Sequence, residues 1–99
     1  MDIRKIDYLD TGVITGNVYL ITFGTNITTM YVERINGNGK LVLNNVYIKT
    51  LKVDKMNGNS DLIIKNSIID NFEKRIINGR IVYINSIVNG IWYDYYVEE

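Results

Sequence analysis

The sequence predicts a β-rich α+β fold: an antiparallel sheet or partly open small barrel of about six or seven strands, with one short helix packed on it. Three observations carry that expectation. Runs of β-branched and aromatic residues recur along the chain, they are punctuated by five Asn-Gly pairs, and one segment, 68–77, departs from the strand pattern. Proline, histidine and cysteine are absent from all 99 residues.

The clearest element is at the end of the chain. Ile81 to Val88 and Ile91 to Val97 flank Asn89-Gly90. A type I′ turn needs positive φ at both central residues, which Asn tolerates and Gly adopts freely, so this dipeptide predicts a two-residue hairpin. The loop length sets the register. Val88 faces Ile91, Ser86 faces Tyr93, Ile84 faces Tyr95 and Val82 faces Val97, and this flank is assigned to the core. The other flank pairs Ile87 with Trp92, Asn85 with Asp94, and Tyr83 with Tyr96. Cross-strand aromatic pairs stiffen hairpins, and a helix could cover them. Left uncovered, Tyr83, Ile87, Trp92 and Tyr96 form a partner surface.

The remaining elements follow from the turn residues. A short edge strand is expected around Ile3 and Tyr8, and Asp10-Thr11-Gly12 reads as a turn. Val13 to Phe23 reads as a central strand with a bulge or close approach at Gly16, forming a hairpin with Thr28 to Ile35. Asn36-Gly37-Asn38-Gly39 is a second turn. Leu41 to Val53 forms two strands, or one bent at Asn44-Asn45. Asn57-Gly58-Asn59-Ser60 closes that unit, and Leu62 to Lys65 is a brief strand. Ile69, Phe72 and Ile76 lie at i, i+3 and i+7, Ser67 is placed to cap, and Gly79 to terminate, so the spacing predicts a helix over 68–77. No internal repeat stands out beyond the Asn-Gly turns, and no linker divides the chain, so residues 1–99 read as one domain.

Composition restricts the chemistry. Eleven basic and eleven acidic residues give no net charge. Without Cys or His there is no disulfide, thiol nucleophile or common zinc site, and acid–base work would fall to carboxylates, Lys or Tyr. Gly37-Asn38-Gly39-Lys40 fails the phosphate-loop pattern, because Arg34 and Leu41 stand where Gly and Ser/Thr are required. The oxygen-rich run 54–61 fails the calcium-loop pattern, because Val53 and Lys55 fall on ligand positions. Acidic pairs such as Asp7 with Asp10 and Glu98 with Glu99 lack apolar enclosure. No catalytic residue, metal site or cofactor is expected. The charged N-terminus and the lack of a long apolar run predict a soluble, cytoplasmic protein without leader or membrane span. Usage rich in Ile, Asn and Tyr resembles that of small orphan proteins from AT-rich genomes, viruses and mobile elements among them.

The expected function is a non-enzymatic interaction module. It would self-associate, as a dimer, or bind another protein through Tyr83, Ile87, Trp92 and Tyr96, with Asn85 and Asp94 at the centre of the face. The alternative is single-stranded nucleic-acid binding, with bases stacked on the aromatics and phosphates followed by Lys49, Lys52, Lys55 and Arg80. Zero net charge weighs against it.

Overall fold

Seven strands build a β-solenoid whose successive coils lie in parallel register: β1 (Lys5–Ile14), β2 (Asn17–Ile35), β3 (Lys40–Met56), β4 (Asp61–Lys65), β5 (Ile68–Ile77), β6 (Arg80–Val88) and β7 (Ile91–Glu98). The structure is a computed structural model that describes residues 5–99, with the backbone alone described for residues 19–24. The expected edge strand is therefore β1 at Tyr8, whereas Ile3 lies outside the described residues.

The chain repeats after all. Ile14, Ile35, Met56 and Ile77 stack in register, as do Leu9, Met30, Leu51 and Phe72. Both columns climb by the spacing of 21 residues that separates the hydrogen-bonded Asn36 and Asn57. Within a coil, side chains follow the order in, out, in, out, out. Leu41, Leu43, Val46, Ile48, Leu51, Val53 and Met56 are buried, and every residue between them is less so. Two consecutive outward residues mark each corner. The inward residues of adjoining coils close on one another, and burying each Leu or Ile stabilises by roughly 1.5–3 kcal/mol.

This rhythm overturns the predicted helix. Residues 68–77 form strand β5, and no helix occurs among the described residues. Ile69 and Phe72 share a side because a corner, Asp70-Asn71, falls between them; the same three-residue step separates Ile27 from Met30 and Ile48 from Leu51. A corner in a coiled strand and a helical turn leave the same local spacing. Ser67 caps nothing. Its hydroxyl accepts the Val46 N–H at 3.1 Å and donates to the Lys65 carbonyl at 2.8 Å, and its own N–H donates to Ser86 Oγ at 3.1 Å.

The antiparallel meander is corrected in the same way. Asn36 to Gly39 does not reverse the chain but passes it to the next coil. Asn36 N–H donates to the Ile14 carbonyl and Lys40 N–H to that of Gly16, both at 2.9 Å. Asn57 N–H and Asp61 N–H repeat these bonds one coil on, to Ile35 and Gly39. The expected hairpin of 13–23 with 28–35 is replaced by one strand, β2, whose pairing is irregular between Ile21 and Thr25. Strand β3 is one strand bent at Asn45, the second of the two readings offered for that stretch. Asn45, Asn66 and Asn85 turn equivalent corners at φ 61°, 52° and 49°, a left-handed conformation that Asn accepts more readily than most residues. Asp10-Thr11-Gly12 is a bulge within β1, where Gly12 N–H donates to Asp10 Oδ1 at 2.9 Å.

Leu51 is fully buried between Met30 and Phe72 in the central coil. Leu51→Ala should cost about 2–5 kcal/mol in denaturant titration. A loss below ~1 kcal/mol would contradict a closely filled interior at this level.

Candidate protein-binding surface at the C-terminal end

The final hairpin forms with the expected register, from Val88 opposite Ile91 to Ile81 opposite Glu98, and it is the one antiparallel pairing among the described residues. Its flanks differ from expectation because β6 turns a corner at Ile84-Asn85. Before the corner the inward residues are Ile81 and Tyr83; after it they are Ser86 and Val88. Tyr83 is thus 2% exposed, not part of a surface patch, while Tyr95 and Ile91, assigned by strict alternation to the core, are 68% and 55% exposed. Ile87, Trp92 and Tyr96 remain at the surface, at 36%, 57% and 49%.

Tyr83 belongs to the plug that closes the last coil. Its ring stacks on Tyr93 with centroids 4.5 Å apart, lies 6.1 Å from that of Tyr96, and meets Phe72 edge-on. Its hydroxyl donates to Glu98 Oε1 at 3.0 Å, and the other oxygen of Glu98 pairs with Lys74. Burial and this bond to a carboxylate push the Tyr83 pKa up. Partial burial alone would raise that of Glu98, but Lys74 and Tyr83 outweigh it and hold the carboxyl below its usual range. Asn89 completes the closure. Its side-chain Oδ1 accepts the Phe72 N–H at 2.7 Å and its Nδ2 reaches the Phe72 carbonyl at 3.5 Å, so one amide stands in for the peptide of an absent coil.

Outside this plug, the register assembles a surface that sequence reasoning found only in part. Tyr47, Ile68, Ile87 and Trp92 are consecutive partners across β3, β5, β6 and β7. All point outward, Tyr47 and Ile68 being 37% and 44% exposed. With strands about 4.8 Å apart, the column runs about 14 Å along the solenoid axis. Tyr47 and Ile68 were missed because one was lost in a long strand and the other placed on a helix; the coil-length spacing between them is the signal that would have found both.

Polar groups rim this column. On one side Asn85 Nδ2 donates to Asn66 Oδ1 at 2.7 Å, and Asn66 Nδ2 to Asn44 Oδ1 at 3.3 Å. Asn85 is thereby occupied along the axis, and Asp94 lies exposed rather than covered. On the other side the Tyr47 hydroxyl donates to Asp70, which raises the Tyr47 pKa. The basic residues are not collected into a track. Lys52 stands opposite Glu73 in the β3–β5 register, while Arg80, on β6, is held by Asp61 at 3.1 Å. Lys49 and Lys55 lie on β3 at successive corners, Lys49-Thr50 and Asp54-Lys55, with the inward Leu51 and Val53 between them.

Among the described residues no group of three or more His, Cys, Asp or Glu is placed to hold a metal ion, and no helix is long and apolar enough to cross a membrane. No protein-family model, curated protein or solved structure matches the chain.

Because the folded Glu98 carboxyl is depressed, its contribution to stability is present above the unfolded carboxyl pKa and is lost as pH falls through the folded one. Below about pH 4, Tyr fluorescence and amide exchange should report loosening of β7 before the remaining coils melt. Glu98→Gln should remove that early step; an unchanged acid profile would show that the clamp contributes nothing.

Proposed function

We propose that the chain is a non-enzymatic interaction module that binds protein through the column Tyr47, Ile68, Ile87 and Trp92. The observation that supports this reading is the register itself, which stacks four exposed large apolar side chains without a charged residue among them. Elsewhere on the outer surface of β3 and β5, acids and bases stand side by side, as Lys52 with Glu73 and Asp54 with Arg75. An apolar strip rimmed by amides on one side and by Asp70 on the other has the composition of an interface, with charge kept to the rim and aromatics at the centre. Such a strip on a protein without a partner is a solubility cost with no structural return, because the interior is already closed by other residues.

A photo-crosslinking residue at position 68 in the native host should capture a partner, or a second copy, that the same residue at exposed Glu33 does not. Ile68→Lys should abolish that partner's binding while leaving the unfolding midpoint nearly unchanged. Equal capture from both positions would remove the column as the contact.

A further inference from the structure

We propose that the outer edge of β7 pairs with the same edge of a second copy, joining two solenoids tail to tail in a two-fold dimer. This goes beyond the reading of the apolar column as a partner site: it is a second contact, made by backbone groups of β7 with a second copy.

Two strand edges lie at this end of the coil stack, and they differ in the charge they carry. Among the described residues β5 has no strand neighbour on its outer side beyond Ile69, but Lys74 occupies the inward column of Val32 and Val53, which are 0% and 1% exposed. An inward-pointing charge on an edge strand prevents a further strand from adding there. Strand β7 is less protected: its inward charge, Glu98, stands at the last position of the strand and is already paired with Lys74 of the same chain. Among the described residues β7 pairs only with β6; it runs Ile91–Glu98 and carries a Trp and three Tyr with no Lys, Arg, Pro or Gly. An edge of this kind, aromatic and with its charges confined to Asp94 and the paired Glu98, is open to another strand.

The register identifies which strand fits. The positions of β7 that oppose the inward residues of β6, and so lie on the interior side of the register, are Ile91, Tyr93, Tyr96 and Glu98, with Ile91 and Tyr96 left 55% and 49% exposed at this end of the stack. From Ile91 to Glu98 the order is in, out, in, out, out, in, out, in, which reads the same from either end. An antiparallel copy can therefore follow the same corner with each side chain on its proper side. The pairs are Ile91 with Glu98, Trp92 with Val97, Tyr93 with Tyr96, and Asp94 with Tyr95 of the second copy.

Backbone direction agrees. Arg80 and Ile87 donate their N–H groups to Ser60 and Ser67, away from β7, both at 3.0 Å. Adjacent residues of a strand point to opposite edges, so Ile81, Ser86 and Val88 face β7 and meet Glu98, Tyr93 and Ile91. Trp92 and Val97 are left with their backbone groups turned outward. They are the residues that this register sets opposite each other, so both N–H groups find carbonyls.

Val97→Pro tests the edge, since it removes an outward N–H that no intrachain bond uses, at a position where edge strands accept proline. In sedimentation equilibrium, the wild type and Ile68→Lys should be dimers and Val97→Pro a monomer. The chain has no cysteine, so Tyr95→Cys provides a second measurement. A short bis-maleimide should link it to its copy, while Val13→Cys, at the opposite end, stays unlinked. A wild-type protein monomeric at millimolar concentration would overturn the dimer and leave the apolar column free to bind a different protein. A dimer lost with Ile68→Lys but kept with Val97→Pro would assign self-association to the column and overturn the edge pairing.

Discussion

The structure depends on one constraint: every coil must present to the next a backbone of matching shape. Carbonyl and N–H groups of a coil point along the axis, and a parallel neighbour satisfies them only if its corners fall at the same places. Three devices keep the corners aligned. Asn45, Asn66 and Asn85 adopt the same left-handed conformation, the buried Ser67 and Ser86 hydroxyls accept N–H groups from the preceding coil, and the amides of Asn44, Asn66 and Asn85 bond along the axis. The apolar columns then follow, because matched corners bring Ile over Ile and Leu over Leu.

That constraint makes the two ends of the column the difficult places, since a solenoid has no intrinsic reason to stop. At the end formed by β6 and β7 the stack is closed by reversal. Strand β7 lies against β6 antiparallel, and the rings of Tyr83, Tyr93 and Tyr96 fill the space where another coil would lie. Lys74, in a column of valines, converts an apolar position into an ion pair with Glu98. The aromatic residues crowded into the last strands are thus divided between two tasks, closing the interior and forming the outer surface.

The sequence disclosed the turn and register of the hairpin, though not its flanks, because that evidence is local: two residues with a particular φ and an alternating run on each side. It concealed the solenoid because that evidence is distributed. Tyr47, Ile68 and Ile87 become neighbours only once the coil length is known, and unequal turns obscure it, since Asn36 to Gly39 is longer than Asn78-Gly79. The supposed helix shows the same ambiguity at short range. Ile69 and Phe72 satisfy a helical stripe and a strand corner equally well, and the choice between them is made by Ile48 and Leu51 in the coil before. Of the four aromatic-face residues, Ile87 and Trp92 were legible as a pair, whereas Tyr83 was misplaced by a corner that strict alternation cannot anticipate.

The side-chain amide of Asn89 is bonded to both peptide groups of Phe72 and is followed directly by Gly90. Asparagine before glycine is the pairing most prone to lose its amide nitrogen by cyclisation and hydrolysis. That change would set a carboxylate oxygen against the Phe72 carbonyl and replace attraction with repulsion. The molecule's closure therefore hangs on a bond that chemical ageing can convert, so old and new copies of one chain would differ in how firmly their last strand is held.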